Sequence, residues 1–249
     1  MLRGVCLLLT ACIDPGPTPI TKRVDPRARL EDHLIALRHY TSCKLPVSIV
    51  FCENSGFDIG PVRTLLANQS DIPEWECLQF DGNQEAWTRG KGVGEARIME
   101  YAAEHSVLMK RDPDDIVLKI SGRYVVTNFS QIVDHLRRTD ADLVVNLQHG
   151  LRFARCDVFA ARSTFFAPFA QKTIRSADEQ SGYFIEHVLA EQVLRAIADG
   201  ARWEPQYPAP RLRGYSGWGN TPLHSRATLK EMLLGRFRPY LLHRWLTQP

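Results

Sequence analysis

Apolar residues fall along this chain in short continuous runs separated by stretches of helical period. Val5 to Ala11, Val47 to Cys52, Ile116 to Ile120 and Leu143 to Leu147 are near-continuous apolar runs, the pattern of strands buried on both faces. Glu76 to Phe80 and Asp157 to Ala161 read as two further strands. Between them, Leu30, Leu34, Leu37 and Tyr40 repeat at helical spacing after the helix-start pair Asp25-Pro26. Asp58 to Ala67 predicts a short helix, Gly94 to Ser106 carries Ile98, Tyr101 and Ala102 at helical spacing, and Phe129 to Arg138 follows the same period. Strand and helix alternate as far as residue 147, which predicts an α/β fold: an open, mainly parallel (mixed) sheet with helices on both faces. Beyond Gly150 the rhythm changes to a helix over Phe184 to Ala198, stopped at Gly200, and then to Pro- and Gly-rich sequence.

Composition narrows the class. With 249 residues, 44% hydrophobic and 24% charged, the chain suits one continuous core over 1–224 with a distinct tail at 225–249. Lys plus Arg number 31 against 28 Asp plus Glu, and a net charge of +3 gives no reason to expect nucleic acid as a partner. The six cysteines contain no Cys-x-x-Cys pair and read as buried free thiols in a reducing compartment. Leu9-Thr10-Ala11-Cys12 looks like the end of an export signal, but the apolar stretch before it, Val5 to Leu9, is shorter than the roughly 7 to 15 residues such a signal needs. Nor does any stretch approach the ~18 apolar residues of a membrane span. The expectation is a cytoplasmic protein.

In an open α/β sheet, ligands bind at the carboxyl ends of the strands. The segments there are Thr10-Ala11, the turn Glu53-Asn54-Ser55-Gly56-Phe57-Asp58, and Ser121-Gly122-Arg123-Tyr124. The first turn offers hydrogen bonds suited to a ribose or a base edge, and reads equally as a glycine turn with solvated polar side chains. Arg89-Gly90-Lys91-Gly92-Val93-Gly94-Glu95 opens a helix whose free N–H groups suit an anion such as a diphosphate, although it does not satisfy the Walker spacing and also reads as a simple turn.

These segments resemble the nucleotide-sugar-dependent glycosyltransferases of the GT-A type. Val47 to Asp58 looks like that family's second strand and its acidic, Ser-containing turn, and Gly90 to Ala102 resembles the helix that passes the donor sugar. The likeness covers roughly residues 1 to 190, and bacterial surface-polysaccharide transferases are the most similar group. It implies a nucleotide-diphosphate sugar as donor and a glycan or lipid-linked glycan as acceptor. Residues 1–150 would form the nucleotide-sugar-binding part and 151–224 the acceptor-side part. Donor contacts would come from Thr10, Glu53, Asn54, Ser55, Lys91, Gly92, Glu95, Lys119, Ser121, Gly122 and Arg123.

In that family the fourth strand ends in Asp-x-Asp, which holds a divalent metal against the diphosphate; here Ile116 to Ile120 runs into Ser121-Gly122-Arg123. Asp112-Pro113-Asp114 and Asp140-Ala141-Asp142 satisfy the spacing but precede strands, and read as solvated turn and cap residues. No metal or other cofactor is therefore expected, with Arg123, Lys119 and Lys91 as the cations that would stabilise a leaving diphosphate. Asp178-Glu179-Gln180-Ser181-Gly182-Tyr183-Phe184-Ile185-Glu186-His187 resembles the acceptor-side acidic motif, with Glu186 as catalytic base for an inverting transfer; Asp178 and Glu179 are alternatives, and any of them could instead cap the helix. His187 lies beside the base, as an assistant or as a packed ring. Arg213 and Ser216 lie on a loop, Arg211 to Asn220, which reads as a lid over a sugar or as a packed surface loop.

Leu229, Leu233, Phe237, Leu241 and Trp245 follow at four-residue steps among Arg226, Lys230, Arg236, Arg238 and Arg244. This basic amphipathic tail suits the inner face of an anionic membrane, the protein's own core, or a partner protein. Two other functional classes share the sheet pattern: a sugar nucleotidyltransferase and a non-catalytic subunit that binds glycan or nucleotide sugar. The first wants a Gly-rich signature after the first strand, for which Asp14-Pro15-Gly16-Pro17 is a poor substitute.

Overall fold

The computed structural model of the protein describes residues 2–206, 208–217 and 219–224. In chain order the elements are β1 (Val5–Ala11), α1 (Pro26–Ser42), β2 (Ser48–Glu53), α2 (Gly60–Ala67), β3 (Trp75–Gln79), α3 (Ala86–Arg89), α4 (Lys91–His105), β4 (Ile116–Ser121), β5 (Val125–Val126), α5 (Phe129–Leu136), β6 (Leu143–Val144), β7 (Leu147–Gln148), β8 (Phe153–Ala154), β9 (Val158–Arg162), α6 (Ser163–Ser176), α7 (Ile185–Ala198), β10 (Trp203–Glu204), β11 (Leu212–Tyr215) and β12 (Pro222–His224). The main sheet has seven strands in the order β10-β6-β9-β4-β1-β2-β3. All its pairings are parallel except those of β9, which runs antiparallel to both β4 and β6.

Alternation along β1 explains the layers. Val5, Leu7, Leu9 and Ala11 face one core with residues of α1, α2 and α5, while Cys6 and Leu8 face a second core with residues of α4, α6 and α7. A strand covered on both sides has no polar face, which is why the sequence reads as a continuous apolar run. Thr10 breaks that run because it lies at the carboxyl end of the strand. Strands β9 and β10, from beyond Gly150, belong to the same sheet as β1, so the two halves of the chain share their cores.

Three features depart from the sequence pattern. The run Leu143 to Leu147 splits into β6 and β7, because Asn146 turns aside to bond the backbone of Arg155 and Gln206. Helix α6 has no counterpart among the predicted elements, since Pro168 lies inside it and reads as a breaker. The Asp-x-Asp segments do lie at the amino-terminal edge, with Asp114 and Asp140 largely solvated, but they also join an ion-pair cluster that the spacing does not show: Arg162 bonds Asp142 at 2.5 Å and Asp114 at 2.8 Å, and Arg202 bonds Asp140 at 2.7 Å. Of the six cysteines, Cys6, Cys52 and Cys156 are buried, whereas Cys12, Cys43 and Cys77 are partly exposed. The tail 225–249 lies outside the described residues. Among those described, no helix is long and apolar enough to cross a membrane.

A second sheet of three strands, order β12-β11-β5, braces the end of β4. Tyr40 of α1 ties it to the core: its hydroxyl donates to the Tyr124 carbonyl at 2.5 Å and accepts from the Val126 N–H at 3.1 Å. Tyr40→Phe strands both backbone groups in a buried site, and a loss of about 1–3 kcal/mol in denaturant-unfolding stability is expected.

Candidate active site

A cavity of about 450 Å³ opens at the carboxyl ends of β1 and β4. Its walls come from Thr10 and Cys12 at the end of β1, Arg29 and His33 of α1, Lys91 and Glu95 of α4, Ser121, Arg123 and Tyr124 at the end of β4, and Ile185 and Glu186 of α7. The sheet topology creates it: β1 and β4 are parallel neighbours, so their carboxyl ends open on one edge, where α1 arrives from one face of the sheet and α4 and α7 from the other.

The floor is organised by one carboxylate. Glu95 Oε1 accepts from Thr10 Oγ1 at 3.2 Å, from Ser121 Oγ at 3.0 Å, and from the ammonium of Lys119. Lys119 is fully buried and also donates to the Cys156 carbonyl at 2.5 Å and to Ser121 Oγ at 3.3 Å. Burial pushes the Glu95 carboxyl up, but the Lys119 charge and the bonds from Lys119 and Ser121 outweigh it and hold it below the usual value. The segment that would carry Asp-x-Asp therefore ends in a hydroxyl and a guanidinium, and the two acids beside it, Glu95 and Asp157, are already paired with Lys119 and Arg155. That donor set does not suit a divalent cation, whose ligands are several free oxygens. Among the described residues no three His, Cys, Asp or Glu side chains gather in a metal-ligand arrangement.

The wall nearest α1 is cationic. Arg29 is 4% exposed and donates to the carbonyls of Cys12 (Nε, 2.8 Å) and Arg23 (Nη1, 3.1 Å). Arg123 Nη2 donates to the Tyr124 hydroxyl at 2.9 Å, and its Nε has no hydrogen-bond partner. Burial first, then the charge of Arg123, push the Arg29 guanidinium down to about 10. His33, on the same cavity wall, is buried, with its imidazole pushed down to about 3 by burial and then by the charges of Arg29 and Arg123, so it is neutral at physiological pH.

On the other side of the cavity Glu186 occupies the first turn of α7 and Lys91 opens α4. Burial pushes the Glu186 carboxyl up, with Lys91 opposing and Glu95 and Glu179 adding to the shift. A carboxylate raised in this way is a better proton acceptor near neutral pH than an exposed one.

Thr10, Lys91, Glu95, Ser121, Arg123 and Glu186 thus share one cavity. The other sequence candidates lie elsewhere. Lys119 sits beneath the floor, with its charge committed to Glu95. Gly92 is buried, and its N–H is bound by the Glu179 carboxylate at 2.8 Å. A Cβ at Gly90, where φ is +105°, would lie 2.5 Å from the Glu179 side chain, so this glycine admits the protein's own anion to the helix end. Gly122 is glycine because a Cβ there would meet His33 Nδ1 and the Thr10 carbonyl at 3.0 Å. Glu53 and Asn54 are fully buried: Glu53 accepts from Ile13 N at 3.1 Å and Ser55 N at 2.9 Å, and Asn54 bonds the Gly94 carbonyl at 3.1 Å. Ser55 accepts from Asp14 N at 3.0 Å. This trio shapes the loop after β1 from behind the wall.

Asp178 bonds Gln180 N at 3.0 Å in a turn, and His187 accepts from Phe184 N at 3.0 Å as a cap of α7. Arg213 lies on β11, beside a separate shallow hollow, and Ser216 holds the turn after it; from the loop Arg211 to Asn220, Gly217 reaches the main cavity. Sequence reasoning missed Arg29 and His33. One signal for Arg29 was present: Arg27 and Arg29 sit in the first turn of α1, which holds no acid, and cations there oppose the helix dipole.

Fold and site together define an α/β protein with a polar cavity, cationic on one wall, at the carboxyl edge of a mostly parallel sheet. Two solved structures are similar over most of the chain. One is assigned as a nucleotide-diphospho-sugar transferase from Desulfovibrio desulfuricans G20, at 13% identity and a TM-score of 0.45, covering 82% of this chain and 80% of the other. The second is the bifunctional glycosyltransferase WbbM, at 10% identity and a TM-score of 0.43, covering 77% of this chain and 37% of that one. No protein-family model matches the sequence, and no curated protein matches it. At this level of likeness the activity has to be argued from the site.

Removing one partner of the buried pair isolates its role. Lys119→Met leaves Glu95 without its cation, and a loss of about 3–5 kcal/mol in unfolding free energy is expected, with much of it recovered in the double variant Lys119→Met/Glu95→Gln.

Proposed function

We propose that the protein transfers a monosaccharide from a nucleotide-diphosphate sugar to a hydroxyl of a glycan or lipid-linked glycan, with inversion and without a divalent metal. The observation that carries this reading is that a carboxylate raised by burial, Glu186, and an incompletely bonded guanidinium, Arg123, line one cavity at the ligand-binding edge of the sheet. Glu186 takes the proton of the acceptor hydroxyl as its oxygen bonds to the anomeric carbon. The bond from that carbon to the diphosphate oxygen breaks, and its electron pair leaves with the diphosphate, where cationic side chains stabilise the added charge. The names of the two similar structures, a nucleotide-diphospho-sugar transferase and a glycosyltransferase, agree with this chemistry.

The acceptor is proposed to belong to bacterial surface polysaccharide synthesis at the cytoplasmic face of the membrane. The basic tail 225–249 would hold the enzyme there, through the alternation of Arg and Lys with Leu, Phe and Trp. Full-length protein should co-sediment with anionic vesicles, and replacing Arg236, Arg238 and Arg244 by Glu should release it; undiminished sedimentation would remove the tail from this role.

With a panel of nucleotide sugars and purified protein, Glu186→Gln is expected to lower kcat by roughly 10²- to 10⁴-fold while donor binding persists. The base must be ionised, so the rate rises as pH passes through its pKa. Because burial raises that pKa, the acidic limb of the kcat profile should lie above the range of an exposed carboxylate. Unchanged turnover in Glu186→Gln would exclude this residue as the base.

A further inference from the structure

Two guanidinium groups on the cationic wall bond no carboxylate. Arg29 is buried, yet its hydrogen bonds go only to main-chain carbonyls, of Cys12 and Arg23. Of the acids nearest in sequence, Glu31 is paired with Arg38 at 3.0 Å and Asp32 with Arg23 at 2.5 Å and 2.8 Å. A guanidinium carries five N–H groups, and the three bonds made by Arg29 leave an N–H on each terminal nitrogen. The Arg123 guanidinium lies over the Tyr124 ring, 4.8 Å from its centroid, and touches no carboxylate, while the acid on the cavity floor, Glu95, is bound by Lys119. Both ring nitrogens of His33 are buried without a hydrogen-bond partner, one helical turn from Arg29 and on the same cavity wall.

Buried cations ordinarily have counter-ions, and buried polar atoms ordinarily have partners. Here two cations and three polar nitrogens lack them on one wall of one cavity.

We propose that Arg29 and Arg123, with His33 as the neutral member, form a phosphoryl-binding subsite that takes the diphosphate of the donor and supplies the positive charge a metal ion would otherwise bring. This rests on the transferase reading above and names residues of α1 that the strand-end argument does not reach. Guanidinium forks match the paired oxygens of a phosphoryl group, and charge-assisted bonds in a walled cavity are stronger than in water. The carbonyl bonds of Arg29 fix its fork in advance, so little side-chain freedom is lost on binding. Lys91, exposed at the mouth of the same cavity, adds a third positive charge. Glu186 belongs to α7, on the opposite face of the sheet from α1, which separates the leaving group from the acceptor's proton.

The test is calorimetric titration of inorganic pyrophosphate, and of a panel of nucleoside diphosphates, into full-length protein in the presence of a chelator. Wild type should bind both, and Arg29→Met should weaken binding roughly 10- to 100-fold, the worth of a hydrogen bond to a charged group. Arg29 also braces two loops, so Arg123→Gln, which gives up a single side-chain bond to Tyr124, is measured beside it and should lose affinity by a similar factor. Glu186→Gln should retain wild-type pyrophosphate affinity. No binding by wild type in chelator, or binding within twofold of wild type in Arg123→Gln, overturns the subsite. Nucleotide-sugar turnover undiminished in both arginine variants overturns it and leaves the transferase reading standing. Arginine-dependent pyrophosphate binding with no turnover of any nucleotide sugar keeps the subsite and removes the transferase reading.

Discussion

Lys119 stands in the middle of a strand whose side chains are otherwise apolar or, at Ser121, at the strand's very end, and water cannot reach its ammonium. A lone buried ammonium is so unfavourable that the fold must bring it a carboxylate. Glu95 comes from the second turn of α4, so the pair locks that helix across the face of the sheet. The same Glu95 oxygen gathers the hydroxyls of Thr10 and Ser121, which fixes the ends of β1 and β4 relative to each other. The floor of the cavity is thus set by one ion pair, and the walls are built on it.

From that floor the two faces of the sheet contribute different chemistry. Helix α1 brings Arg29 and His33, packed on the side of Tyr40 and Phe51; α4 and α7 bring Lys91 and Glu186, packed on the side of Phe159 and Phe166. A parallel pair whose carboxyl ends share one edge, reached by helices from both faces, is what places these groups around one opening. Cations with unfilled donors on one side and a proton-accepting carboxylate on the other suit a reaction that expels an anion while consuming a proton acceptor.

The glycine run at the head of α4 shows how a local pattern acquires meaning from its neighbours. Its spacing suggested a backbone cradle for phosphate, and the helix end does bind an anion, but the anion is Glu179. Positive φ at Gly90 and the absence of a side chain at Gly92 let that carboxylate approach. Likewise the Glu53-Asn54-Ser55 turn spends its hydrogen bonds on the loop after β1. Both segments contain the polar groups a ligand site needs, and in both the protein's own backbone or side chains occupy them.

Hydrophobic period alone determined the three-layer α/β architecture, because a strand buried on both faces and a helix buried on one leave different repeats in the sequence. It also located the strand ends, and with them Thr10, Ser121 and Arg123; the Gly-rich opening of α4 pointed to Lys91 and Glu95, and the resemblance to Glu186, and the structure gathers all six in one cavity. Helix α6 was hidden by Pro168, whose cost is met by packing against α4 and α7. The short strands β5, β11 and β12 leave too few residues for a period to register. What tertiary structure decided was partnership. Sequence could say that Lys119 must be neutralised and that Arg123 could hold an anion, but charges far apart in the chain pair only once the fold sets their distances. Glu95 neutralises Lys119, Asp32 neutralises Arg23, and Arg29 and Arg123 are left facing the cavity without a bonded carboxylate.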